Sequence, residues 1–145
     1  MRNTVAAYCL LASAIGMGSA TAADCTGNPN ALGTSRTIVV DPTEHQFLGA
    51  FQYRESLPLK DREVVLTFDD GPLPPYTSRI LDVLAAECVK ATFFMVGRMA
   101  RTYPPLVKRV FAEGHTLANH SQSHPFTFHK MTVEQARQEI EDGFA

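Results

Sequence analysis

A chain of 145 residues, 45% hydrophobic and 19% charged, is long enough for one domain with a real core and too apolar for a disordered protein. Its formal charge of −2 at pH 7, without any basic run, argues against nucleic acid as a main partner.

Met1 to Ala23 reads as a secretory signal. Arg2 gives the positive start, Val5 to Met17 an apolar stretch, and Ala20-Thr21-Ala22 a small-residue cleavage site. The stretch is short and rich in Ala, Gly and Ser for a bilayer span. The expected product is therefore exported, secreted or periplasmic, with no stable membrane insertion after cleavage. Cys9 lies in the signal, which leaves Cys25 and Cys88. An oxidising compartment would permit a bridge between them across a long loop. The reading preferred from sequence is a buried helix thiol at Cys88 and a Cys25 in a loose arm, since sequence supplies no Cα separation.

Residues 24–62 read as a linker and N-terminal extension. Asp24 to Ser35 has turn-forming residues and no apolar period, which predicts a linker or disordered arm. Thr37 to Val40 suggests a short strand closed by Asp41-Pro42, and Phe47 to Tyr53 an edge strand or a cover. His45, in a polar context, reads as a surface histidine.

From Glu63 onward the punctuation is regular. Val64 to Phe68 reads as a buried strand, stopped by Gly71-Pro72. A helix over Tyr76 to Cys88 follows, with Ile80, Val83 and Leu84 on one face. Ala91 to Val96 is the next strand, ended by Gly97. Pro104-Pro105 opens a helix whose stripe is Leu106, Val107, Val110 and Phe111, with Gly114 past its end. Thr116-Leu117-Ala118 is a third strand leading into His120. Thr132 and Gln135 form a capping box for a last helix with the stripe Val133, Ala136, Ile140 and Phe144. Strand and helix alternate three times, which predicts an α/β fold with parallel strands.

The chemistry-bearing residues stand at strand ends. Asp69 and Asp70 are adjacent carboxylates, an arrangement that costs free energy unless a metal, a shared proton or a base role uses it. His120 and His124 are four residues apart, one turn of helix and the spacing of helix-borne zinc ligands. Parallel strands would deliver both pairs to one rim of the sheet. Two imidazoles and one carboxylate with an open position make a catalytic zinc-type site, and the second carboxylate is left as a base. Of the other candidates, His115 reads as a strand-entry or capping residue and His129 as peripheral. Phe126 and Phe128 read as core filling, and Leu73-Pro74-Pro75 with Tyr76 as the clamp on the loop over the metal.

Thr67-Phe68-Asp69-Asp70-Gly71-Pro72 together with His120-Ser121-Gln122-Ser123-His124 resembles the first two motifs of the polysaccharide deacetylases, including the nodulation-type chitooligosaccharide deacetylases. Ala91 to Gly97 is similar to that family's second strand, and Glu113-Gly114-His115 with Leu117-Ala118-Asn119 to its approach to the histidine motif. The resemblance covers residues 63–145, the expected catalytic domain. It implies a distorted (β/α) barrel of that type, here cut short after about three βα units, since a complete (β/α)₈ barrel takes about 250 residues. It also implies a hydrolase that removes N-acetyl groups from a chitin-, chitooligosaccharide- or peptidoglycan-like saccharide. Carried over by position, Asp69 is the catalytic base, and Asp70, His120 and His124 are the ligands of a divalent metal, Zn before Co or another. The family's later motifs, an Arg-Pro-Pro-Tyr-like, an Asp-Trp and a Leu-x-His stretch, have no counterpart in these residues. A second class therefore stays open, a non-catalytic metal- or carbohydrate-binding fragment without the general acid. No feature specifies an oligomeric state.

Overall fold

Three parallel strands form one sheet in the order β1 (Thr67–Phe68), β2 (Thr92–Met95), β3 (Thr116–Asn119). The computed structural model describes Cys25, Arg36 and residues 27–34, 38–41, 43–49 and 53–144; the secretory signal read at Met1 to Ala23 lies outside the described residues. Helices α1 (Tyr76–Ala86), α2 (Gly97–Thr102), α3 (Pro104–Ala112) and α4 (Val133–Phe144) follow the strands in turn, and a 3₁₀ turn at Phe128–Lys130 precedes α4. Three βα units in parallel register are what the alternation predicted. Thr67 and Phe68 lie opposite Thr92 and Phe93, and Thr92 to Met95 opposite Thr116 to Asn119. Among the described residues no helix is long and apolar enough to cross a membrane.

The core sits on one face of β2. Phe93 and Met95 alternate inward and meet Leu81 and Leu84 of α1 and Val110 of α3, with Phe68, Ile80, Val89, Ala100 and Val107 packed around them. Full burial of a side chain such as Leu81 contributes about 1.5–3 kcal/mol. Phe68 stacks on Phe93 at 5.1 Å between ring centroids, which ties β1 to the centre. Arg109 pins α3 to α1, donating to Asp82 Oδ1 and Glu113 Oε1, both at 2.6 Å.

Several stripes lie differently from the sequence reading. On α1 the buried set is Thr77, Leu81 and Leu84, and Val83, about 200° around the helix from Leu81, is exposed. Phe111 of α3 is exposed for the same reason of phase, the inward side being set by Val110. Val64, Val65 and Leu66 are exposed and not a buried strand, because β1 spans only Thr67 and Phe68 and, among the described residues, pairs with β2 alone. Gly97, read as a strand stop, also opens α2, which the sequence reading missed. Helix α4 carries the predicted capping box, with Thr132 N–H donating to Gln135 Oε1 at 2.9 Å and Gln135 N–H to Thr132 Oγ1 at 3.2 Å. Its stripe residues Val133, Ile140 and Phe144 are nevertheless exposed.

The N-terminal extension is docked where it is described. Cys25 and Cys88 are disulfide-bonded with Cα atoms 5.7 Å apart, which corrects the reading of a buried helix thiol and a loose arm. Cys88 stands past the end of α1 in the left-handed region (φ 52°), so its side chain leaves the helix surface and meets the arm. The arm supplies donors to carbonyls that the helix end leaves over. Asn28 Nδ2 donates to Ala86 O at 3.0 Å and Gly33 N–H to Glu87 O at 2.9 Å. Residues 38–40 are not a strand, and Thr37 lies outside the described residues; of the expected edge strand or cover at Phe47 to Tyr53, residues 50–52 lie outside the described residues, among which a single bridge forms here, Leu48 to Glu55. Arg36 clamps Glu63 through two hydrogen bonds of 2.7 Å, and this bidentate pairing holds the Glu63 carboxyl down at about 2.

Candidate metal centre

One peptide unit at the end of β2 carries both halves of the site. A trans peptide points its C=O and N–H to opposite sides. Met95 O accepts the His120 N–H at 3.0 Å on the β3 side, and Val96 N–H donates to Gly71 O at 3.1 Å on the β1 side. The acidic turn and the histidine segment, far apart in sequence, are thus both fastened to the central strand.

On the acidic side the chain leaves β1 at Phe68 and turns at Asp70, which has φ 68°. The left-handed region is tolerated by Asp better than by most residues, because its short side chain can bond locally. Pro72 is fully buried. Leu73 N–H donates to Thr77 Oγ1 at 2.9 Å, and Thr77 N–H donates back to Leu73 O at 3.0 Å. Of the clamp expected at Leu73-Pro74-Pro75 and Tyr76, Leu73 is fastened to Thr77 by these two bonds, while Pro74, Pro75 and Tyr76 are exposed.

On the histidine side the segment is a loop, not a turn of helix. Ser121 and His124 have φ 61° and 51°, and a helix would hold both near −60°. Asn119 Oδ1 accepts the Ser121 N–H at 2.6 Å, and Ser121 Oγ accepts the His124 N–H at 3.0 Å. The free N–H groups at the start of α2 complete the frame. Gly97 N–H donates to Ser121 O and Arg98 N–H to Gln122 O, each at 3.0 Å.

The two halves converge. His120 Nε2 and His124 Nε2 lie 3.3 and 3.5 Å from Asp70 Oδ1, and the donor atoms of the three residues all lie within 4.8 Å of one another. Ligands about 2.0–2.2 Å from a tetrahedral ion stand about 3.3–3.6 Å apart, a spacing that both Asp70-to-histidine distances match, so the three residues form a candidate site for a divalent ion. The imidazoles stack at 4.8 Å between centroids, and the Asp70 side chain is largely exposed, leaving the approach open to water or substrate. Asp69 is exposed beside the cluster and is outside the three-residue group.

The remaining candidates separate cleanly. His115 is buried at the entry to β3, its Nδ1 accepting the Ala91 N–H at 3.2 Å, and burial lowers its pKa. His129 is exposed in the 3₁₀ turn and His45 pairs with Glu55, both outside the cluster. Phe126 is 93% exposed and so does not fill the core; its ring stands edge-on to His124 at 6.2 Å. Phe128 is also exposed. Sequence reasoning missed Glu139 and Gly143 of α4, which touch the histidine loop from a helix whose visible signal was its apolar stripe. A Cβ on Gly143 would stand 2.8 Å from the Asn119 side chain and 2.9 Å from the Ser121 carbonyl carbon, so only glycine admits this approach.

Residues 56–143 match the family model for polysaccharide deacetylases. A chitooligosaccharide deacetylase of Rhizobium leguminosarum bv. trifolii is 57% identical over 65 residues, which is 45% of this chain and 30% of the relative. A peptidoglycan-N-acetylglucosamine deacetylase of Bacillus cereus is 42% identical over 98 residues, 68% of this chain and 35% of the relative. The solved structure of the peptidoglycan deacetylase PdaC from Bacillus subtilis superposes with a TM-score of 0.52 at 42% identity, over 55% of this chain and 39% of that one. The chain thus spans about a third of the length of the relatives it matches.

Proposed function

The chain belongs to the polysaccharide deacetylase family, and on that premise we propose that it is the metal-binding part of a hydrolase that removes N-acetyl groups from a polysaccharide or oligosaccharide. The observation that carries this reading is the convergence of Asp70, His120 and His124 from two distant segments onto one point. Asp70, His120 and His124 hold the metal. We assign zinc because neutral imidazole and carboxylate donors at this spacing suit it, with cobalt as a functional substitute. A divalent ion bound there supplies Lewis acidity toward the acetyl carbonyl and toward water.

The protein's own residues supply the rest. Asp69, adjacent in the chain and outside the ligand set, acts as general base and holds the proton that the attacking water gives up. The left-handed turn at Asp70 separates the two carboxylates in role: one is committed to the ligand set and its neighbour stays available to water. The substrate is an N-acetylated hexosamine polymer, either chitooligosaccharide- or peptidoglycan-like, as the names of the relatives suggest. The reaction hydrolyses a non-peptide carbon–nitrogen bond and leaves acetate and an amine. We place the protein outside the cytoplasm, secreted or periplasmic. The signal-like Met1 to Ala23 supports this, and the Cys25–Cys88 bond suits an oxidising compartment.

Acetate release from a chitooligosaccharide and from peptidoglycan by the chain extended through its natural reading frame, measured with one equivalent of zinc and after chelation, tests the reading. Release that needs zinc and falls by about 10²-fold or more in Asp69→Asn, with zinc retained, is the expected result. Zinc bound without any acetate release would leave a non-catalytic metal- or carbohydrate-binding module. Asp69→Asn that sheds zinc while Asp70→Asn keeps it would exchange the two roles.

A further inference from the structure

Two of the three residues between the histidines, Gln122 and Ser123, are held by a single residue of α4. Glu139 Oε1 accepts the Ser123 hydroxyl at 2.7 Å, Glu139 Oε2 accepts the Ser123 N–H at 2.9 Å, and the Glu139 carbonyl oxygen accepts the Gln122 N–H at 2.8 Å. Asn119 reinforces the seam, donating from Nδ2 to Ile140 O at 2.8 Å. The loop held in this way is a strained one, with Ser121 and His124 in the left-handed region. Such a conformation persists only where its surroundings over-determine it.

We propose that Glu139 is a positioning residue for the metal centre: it touches no ligand atom, and it fixes the backbone from which His124 reaches Asp70. The inference rests on the metal-site reading above. A carboxylate fits the task because it is acceptor-only and has two oxygens, one for each donor that Ser123 presents. A charged acceptor also shortens and strengthens both bonds. Without it Ser123 loses two anchors at once, and His124 is free to relax toward negative φ, which swings its Nε2 away from Asp70. The effect on the metal is that of an outer partner, whose removal typically weakens affinity by about 10–100-fold.

The test uses the full chain, zinc as the probe, and the variants Glu139→Leu, Glu139→Gln and Ser123→Ala. Glu139→Leu is expected to weaken zinc binding by about tenfold or more. Glu139→Gln should retain part of the affinity, because its amide oxygen still accepts one bond while its NH₂ faces the other donor. Combining Ser123→Ala with Glu139→Leu should cost little beyond Glu139→Leu alone, since the two share their bonds. In metal-free protein the His124 amide, whose acceptor Ser121 Oγ is untouched by these changes, should exchange with solvent faster in Glu139→Leu, with the amides of Phe93 and Met95 unchanged. Unaltered zinc affinity and unaltered His124 exchange in Glu139→Leu would overturn the proposal. So would faster exchange at Phe93 and Met95 to the same degree, which would mark Glu139 as a general stabiliser of the fold. If the wild-type chain bound no zinc, the metal-site reading would fall, and the His124 amide alone would decide whether Glu139 fixes the loop.

Discussion

The packing of the sheet on α1 and α3 and the seam that β3 and the histidine loop make with α4 are held by different physics. Toward α1 and α3 the contact is apolar: Leu81, Leu84, Phe93, Met95 and Val110 are all buried. Toward α4 no residue of the helix is buried, and the seam is made of Glu139, Asn119, Ser123 and a glycine at 143. Apolar burial is non-directional and scales with area, so it decides that the elements pack and tolerates small shifts. Hydrogen bonds have narrow ranges of length and angle, so the polar seam can place an imidazole to a fraction of an ångström. Stability is concentrated in the apolar packing and geometry in the polar seam.

The strongest test of that division is to remove the donors themselves. Asp70→Asn and His124→Asn, which keep residue types at home in the left-handed region, should each abolish zinc retained through dialysis. Their free energies of unfolding in urea without metal should stay within about 0.5 kcal/mol of the parent, as for other exposed substitutions. A large loss of stability in either would mean that the site is part of the scaffold.

Next in size is the opposite experiment. Leu81→Ala, at a fully buried position, should cost about 2–5 kcal/mol in urea unfolding. Zinc affinity measured well below the unfolding transition should not change, and a marked drop would show that core packing sets the ligand geometry after all.

These two experiments also mark what a sequence can convey. Alternation of strands and helices survives in the pattern because burial against α1 and α3 needs periodic apolar residues, and Leu84, Phe93 and Val110 sit where periodicity puts them. The motif residues Asp70, His120 and His124 were legible because parallel strands share a rim. What was not legible is set by partners across space. Spacing of four suggested a helix at His120 to His124, and only the left-handed Ser121 and His124 make it a loop. Val64 to Leu66 carry the composition of a buried strand, but burial depends on neighbours that the residues themselves do not encode. The Cys25–Cys88 bond required a Cα separation, and Glu139 looks from sequence like any acid on a polar helix face.

Gly143→Ala probes the seam where it is tightest. The added carbon meets Asn119 at 2.8 Å and the Ser121 backbone at 2.9 Å, so α4 or the loop must move. Overpacking of this kind costs about 1–3 kcal/mol, against a helix-propensity gain of about 1 kcal/mol for Ala over Gly. The expected outcome is a small change in stability with a clear loss of zinc affinity by calorimetric titration. Unchanged affinity would mean that the loop does not depend on the approach of α4.

The smallest effect belongs to His115 in the apolar packing. Burial first, and then the nearby Lys90 charge, hold its pKa below the ordinary imidazole value, while Glu113 acts weakly in the other direction. The unfolded chain therefore binds the proton more readily, so stability is full above the ordinary imidazole value and declines as pH falls from there through the folded value. Protonation also removes the acceptor for the Ala91 N–H. A ring titration followed by NMR in metal-free protein should show a midpoint for His115 below the ordinary imidazole value. Replacement by Gln, which can still accept that N–H, should flatten the fall in thermal midpoint between about pH 7 and about pH 5.

The shared peptide unit between Met95 and Val96 can be restated as a matter of tolerances. Errors in placing the acid relative to the imidazoles accumulate across one rigid plane and the two hydrogen bonds on either side of it. They do not accumulate along the chain that runs from Gly71 through α1, α2 and α3 to His120. The intervening connections can therefore lengthen or drift, at Tyr103 between α2 and α3 for instance, without detuning the pair. A displacement of the end of β2 carries both partners with it and leaves their separation the same.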